Sequence, residues 1–159
     1  MIERKRKLHV EPPSDGYELA IKVAFATSDR HLVDQHFGSA EGMLIYGVAK
    51  QEWHLLEAIE YSESDGQTHQ RLPNRINDLK GCAAVYCIAC GASAIRQLLG
   101  EDINPVRVEP GYDIHLLLQK LQIELRTQPA GWLARALKRS QSGEGKQQNR
   151  LQNLMDEEW

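Results

Sequence analysis

The chain is short of cysteine, holding three in 159 residues: Cys82, Cys87 and Cys90. So few, and an odd number, excludes a disulfide framework and fits a reducing compartment, so a cytoplasmic location is expected, with thiols left available as metal ligands. Long apolar runs are also missing. None approaches the roughly 20 residues that cross a bilayer, so no membrane-spanning helix is expected. The basic start, Met1-Ile2-Glu3-Arg4-Lys5-Arg6-Lys7, leads into no apolar stretch, which excludes reading it as a secretory signal. Positive charge is not in excess either. A net charge of −3 gives a nucleic-acid partner no electrostatic support. The sequence has no G-x-S-x-G elbow, no phosphate-binding loop, no dinucleotide fingerprint and no internal repeat. No nucleophile is paired with a recognisable base and oxyanion hole, so no catalytic residue is assigned and the chain is read as a binder, not an enzyme.

What is present describes one α/β domain with extensions. The length suits a single domain, and 42% hydrophobic with 26% charged residues is ordinary for a globular protein. Residues 1–18 read as a basic flexible arm, residues 19–127 as the α/β domain, 128–139 as a short amphipathic helix and 140–159 as a flexible Gln-rich tail. Ile21 to Ser28 is β-branched and apolar, a strand, followed by a polar loop to Gly38. Met43–Val48 and Trp53–Ile59 flank a polar break and predict a hairpin. Leu72, Ile76 and Leu79 recur at helical spacing within 64–80, with Asp65 as cap and Pro73 as a warning of a late start. Cys82–Cys87 predicts a buried strand, Ala92–Leu99 a helix, Pro105–Val108 a strand and Asp113–Arg126 a helix whose leucines share one face. Strand, helix and strand over 83–108 imply a parallel pair, and the hairpin implies antiparallel neighbours. The expected fold is a mixed sheet of about five strands flanked by helices.

Two segments carry chemistry. Cys87-Ile88-Ala89-Cys90-Gly91 lies where a strand hands over to a helix, and ligands in open α/β sheets bind beyond the carboxyl ends of strands. A thiol there feels the positive helix end, which favours the thiolate. Gly91 offers close backbone approach. A single Cys-x-x-Cys lacks the second pair of a structural zinc site. Cys82 stands roughly 15 Å away at the other strand end and reads as a core residue. The second segment, Thr27 to Ala40, holds His36 beside Asp34, Gly38 and Ser39. An imidazole suits iron, Asp34 is a candidate to orient it, and Gly38 and Ser39 offer backbone and hydroxyl donors to an anion. His9, His31, His54, His69 and His115 read as ordinary surface histidines.

Together these segments resemble the NifX family. The stretch Val23–Asp29 with Val33–Ala40 is similar to its opening motif, Gly81–Leu99 to its second, and Pro129–Ala136 to its C-terminal signature. The resemblance spans roughly residues 20–139 and implies a ribonuclease-H-like, nitrogenase accessory factor-like domain that serves iron–molybdenum cofactor assembly. It implies a carrier that binds the iron–sulfur precursor cluster made by NifB and exchanges clusters with NifEN-type assembly proteins, with His36 as cluster ligand. The expected metal ligands are His36, Cys90 and Cys87, supported by Asp34, Gly38, Ser39 and Gly91. A monomer without nucleic-acid or membrane partners is expected. Two alternatives stand beside it: a thiol–disulfide protein using Cys87 and Cys90, and an interaction module that holds no cluster.

Overall fold

The computed structural model describes residues 5–10, 20–62 and 68–140. The proposed Asp65 cap, the tail from 141 and the remaining parts of the arm lie outside the described residues. Six strands, β1 (Lys5–His9), β2 (Ile21–Ala26), β4 (Gly42–Val48), β5 (Trp53–Tyr61), β6 (Ala84–Cys87) and β7 (Asn104–Arg107), form one sheet in the order β1-β5-β4-β2-β6-β7, and β3 (Leu32–Val33) lies apart from it. β2 is central, antiparallel to β4 and parallel to β6, which in turn is parallel to β7. β4 and β5 form the expected hairpin. The sixth strand is β1, which lies within the basic arm and pairs antiparallel with Glu57–Tyr61. Its five side chains are all exposed, so backbone bonds and the Lys5–Asp78 ion pair at 2.5 Å tie it to the edge. Low hydrophobicity concealed this strand, because nothing in it is buried.

Alternation along the strands divides the core in two. Val23, Phe25, Leu44, Tyr46, Ala84 and Tyr86 face one side, where Phe25 stacks on Tyr86 with ring centroids 4.9 Å apart. That face is covered by α3 (Ile114–Arg126), through Ile114, Leu117, Leu118, Leu121 and Leu125, and by α4 (residues 131–140), through Leu133 and Ala136. Ala24, Ala26, Met43, Ile45, Val85 and Cys87 face the other side, beneath Ile76 of α1 (Thr68–Asp78), Leu79 just past its end, and Ala94 and Leu98 of α2 (Ala92–Gly100). The helix α1 runs through Pro73, which lies exposed in its interior. A proline there removes one intrahelical bond, so packing of its apolar stripe must outweigh that loss. The start of α3 is capped by Asp113, whose carboxylate accepts the Leu116 N–H at 3.2 Å.

The loop after β2 is less irregular than its composition predicts. Leu32–Val33 (β3) pairs antiparallel with Tyr112–Asp113 (β8), forming a second small sheet. A two-residue strand has no periodicity to read, so only distant pairing creates it.

Gly42 is required by space. A Cβ there would lie 2.9 Å from the Thr27 carbonyl oxygen and 3.1 Å from that of Ile59. Neither backbone oxygen can swing aside, so Gly42→Ala is expected to destabilise the domain by about 1–3 kcal/mol, the usual scale of core overpacking. Urea denaturation checks this; an unchanged midpoint would show that the sheet edge yields freely.

Candidate functional site

The parallel strands β2, β6 and β7 all end at one edge of the sheet, at Ala26, Cys87 and Arg107. From β2 the chain turns toward β4, and from β6 it turns the other way into α2, so the strand order reverses between them, the position at which open α/β sheets bind ligands. The loop from β2 then returns against the segment leaving β6. His36 and Ala89 form an isolated parallel bridge, with the Phe37 N–H donating to the Ala89 carbonyl at 2.9 Å and the Ile88 N–H to that of Gln35 at 3.1 Å. Phe37 is fully buried and starts a short 3-10 turn, Phe37–Ser39. Thus two segments separated by some fifty residues in sequence meet where the sheet ends, and His36 lies on the same edge as Cys87 and Cys90.

The loop is built to hold this position. Asp29 accepts the N–H groups of His31 at 2.8 Å and Leu32 at 2.9 Å, and those bonds hold its carboxyl below the usual range. Asp34 accepts from the Ser28 N–H at 2.9 Å and the Ser28 hydroxyl at 2.5 Å. Both of its oxygens thereby brace the loop that carries His36. Arg75 of α1 is a contributor that sequence reasoning missed. It is buried, donates to the Ala40 carbonyl at 2.9 Å and lies 4.2 Å above the Tyr61 ring. An arginine in an amphipathic helix reads as surface charge, and nothing in sequence says that its head reaches a loop thirty-five residues away.

The two cysteines differ. Cys87 is fully buried at the end of β6, and Cys90 is half-buried just before Gly91, the N-cap of α2. The Cys87 thiol hydrogen-bonds to Cys90. This bond and burial push the Cys87 pKa up, and the same bond pulls the Cys90 pKa down despite partial burial. Cys87 is therefore the donor in this bond and Cys90 its acceptor, which favours ionisation at Cys90 over Cys87. Cys82 is buried at the far end, its thiol pushed up to about 12 chiefly by burial, which suits a core residue.

Around them the surface is open. His36, Gly38, Ser39 and Gly91 are exposed. A Cβ on Gly38 or Gly91 would meet nothing within 4 Å, and Gly91 has a φ of −68° that any residue adopts. No internal contact therefore requires glycine at either position, and Gly91 serves as the N-cap of α2, where glycine is favoured over larger apolar residues. Among the described residues no three His, Cys, Asp or Glu side chains are arranged to hold a metal ion. His36, Cys87 and Cys90 thus share an edge without closing on a single-ion cage. A cavity of about 640 Å³, lined by Lys7, Lys22, Glu57 and Cys82 among others, lies away from this edge and contains none of the candidate ligands.

The thiol pair makes a measurable statement. The alkylation rate of Cys90 is expected to rise at lower pH than that of an ordinary thiol, because its lowered pKa exposes thiolate earlier. Cys87→Ala removes the donor and is expected to move that midpoint upward, whereas Cys82→Ala leaves it unchanged. A midpoint indifferent to Cys87 would contradict the donor role.

Comparison with known proteins places the chain. The family model described as dinitrogenase iron–molybdenum cofactor matches residues 19–124. Protein NifX of Azotobacter vinelandii is 43% identical over 160 aligned residues, covering 100% of this chain and 99% of that protein. Protein NifX of Klebsiella pneumoniae is 36% identical, covering 67% of this chain and 68% of its own length. Protein NifY of Azotobacter vinelandii is 26% identical over 80% of this chain and 52% of its own length. With a mixed α/β sheet of the expected order and near full-length similarity to NifX, the chain belongs to the dinitrogenase iron–molybdenum cofactor family and, within it, to the NifX proteins.

Proposed function

We propose that this chain is a carrier that holds an anionic iron–sulfur precursor cluster of the iron–molybdenum cofactor and passes it to other assembly proteins. Its family gives it a role in nitrogenase cofactor biosynthesis. The cargo reading rests on one observation: the His36 turn is bridged to the segment that carries Cys87 and Cys90. Cys90 supplies a thiolate and His36 an exposed imidazole, both acceptable to iron. The first N–H groups of α2 and the positive end of its dipole offset sulfide charge. A preassembled cluster brings its own bridging sulfides, so one or two protein ligands suffice and release stays possible. Gly38 and Gly91 leave the approach clear. NifB- and NifEN-type proteins are the donor and acceptor in this reading, and a binding role without turnover is its consequence.

The hydrogen-bonded Cys87–Cys90 pair also favours a second reading, a thiol–disulfide protein. That reading requires reversible Cys87–Cys90 oxidation without metal and gives His36 no part.

Anaerobic incubation with the precursor cluster, followed by gel filtration and iron and molybdenum analysis, distinguishes them. His36→Ala and Cys90→Ser are each expected to lower retained iron by about tenfold, the scale of one lost strong contact. His54→Ala, at the start of β5 and the far end of the sheet, is expected to retain cluster like the parent. A parent protein that retains no iron but cycles a disulfide would sink the carrier reading.

The open glycines give a second check. Gly91→Leu is expected to keep the domain folded with a melting temperature lower by a few degrees, since leucine is a poorer N-cap of α2 than glycine by about 1 kcal/mol and meets no neighbour within 4 Å. Cluster retention should nevertheless fall, because the side chain occupies the approach. Full retention by a folded Gly91→Leu protein would place the cargo elsewhere.

A further inference from the structure

Arg107 is the last residue of β7, one of the strands that end at this edge, and neither motif includes it. It closes β7 in direct parallel register with Cys87. Partners in such a ladder project to the same face of a sheet, so Arg107 shares the face of Cys87, the one on which α2 begins. The Cys87–Ile88 peptide fixes its position relative to His36. The Cys87 carbonyl accepts the Val108 N–H at 2.9 Å, and the Ile88 N–H donates to the Gln35 carbonyl at 3.1 Å. The C=O and N–H of a trans peptide point in opposite directions. The Arg107–Val108 strand end and the Gln35–His36 turn therefore flank the cysteine segment from opposite sides.

Nothing internal explains the guanidinium there. Arg107 is exposed and, among the described residues, makes no ion pair. Arg30, at the same end of the molecule, is neutralised by Glu60 at 2.7 Å. The chain as a whole is acidic, at −3, so an exposed guanidinium without an ion pair at this edge is a local departure from its general charge. Glu109 follows outside the strand, without an ion pair to Arg107.

Resting on the carrier reading above, we infer that Arg107 is a positioning residue for the anionic cargo, lying across the cysteine turn from His36 and contributing charge-assisted N–H bonds to cluster sulfides or their thiolate caps. His36 and Cys90 would form metal bonds on one part of the cluster. Arg107 would orient it from the other side without competing for iron, since guanidinium keeps its protons and is no ligand. A contact of this kind raises affinity and sets orientation while leaving the ligand bonds exchangeable, which a carrier requires.

The test titrates the full chain anaerobically with an anionic [4Fe–4S] cluster capped by small thiolates, at low and near-physiological salt, with bound cluster read from visible absorbance after desalting. Arg107→Gln is expected to weaken binding about tenfold at low salt and to flatten its salt dependence, since part of that dependence belongs to this charge. Arg107→Lys keeps the charge and should retain most of the affinity. His36→Ala should weaken binding but leave the salt slope intact, which a merely structural effect of Arg107 would not reproduce. If Arg107→Gln binds as tightly as the parent with the same slope while His36→Ala does not, the role of Arg107 is overturned and the carrier reading stands. If the parent binds no cluster, the carrier reading falls and this inference with it. Should Arg107→Gln disturb the edge strand, the parent alone still decides: binding indifferent to salt would overturn the charge contribution.

Discussion

The site depends on a short parallel contact between two loops. The His36–Ala89 bridge, with bonds from Phe37 to Ala89 and from Ile88 to Gln35, extends the sheet one step beyond its last regular residues. Each such bond contributes about 0.5–1.5 kcal/mol net, too little to hold an exposed loop by itself. Burial of Phe37 adds about 1.5–3 kcal/mol, offset by the entropy of ordering the turn. The contact therefore survives because its two sides are already shaped: Asp29 and Asp34 close the loop internally, β3 pairs with β8, and the Arg75 guanidinium takes the Ala40 carbonyl from α1.

This arrangement separates stability from reactivity. The residues that hold the edge are buried or hydrogen-bonded to backbone, whereas His36, Gly38, Ser39, Gly91 and Arg107 are exposed and structurally undemanding. Cys87 and Cys90 divide the same labour. The buried thiol donates a hydrogen bond, and the half-buried one accepts it near a helix start, which lowers its pKa. An open edge with rigid support suits the proposed role of a carrier, because little of the fold has to move for a cargo to arrive or leave.

The central sheet and its coverings were legible in the sequence because burial leaves a period. β2, the β4–β5 hairpin, β6, α2, β7 and the leucine face of α3 all announce themselves by apolar spacing, and the parallel pairing of β6 and β7 follows from their connection through a helix. β1, β3 and β8 left no such trace. Their side chains are exposed or too few, and backbone bonds to distant partners alone make them strands. The uninterrupted α1 likewise contradicts the local preference of Pro73, since the helix answers to the packing of Ile76 and Arg75 rather than to one lost bond.

Among the candidate site residues, the sequence by itself determined that two cysteines lie where a strand hands over to a helix and a histidine lies in the loop after the first strand, and family likeness singled out His36 as the proposed ligand. Whether the two segments meet was decided only by tertiary structure, through hydrogen bonds between residues some fifty positions apart. The same holds for the placement of Asp34, hydrogen-bonded to Ser28, of Arg75, buried where its helix predicted a surface cation, and of Arg107, whose register beside Cys87 is a property of the ladder. Spacing along a chain fixes what neighbours do to one another. It carries no record of which polar groups from distant strands must satisfy each other once water is removed, and those pairings set the geometry of this edge.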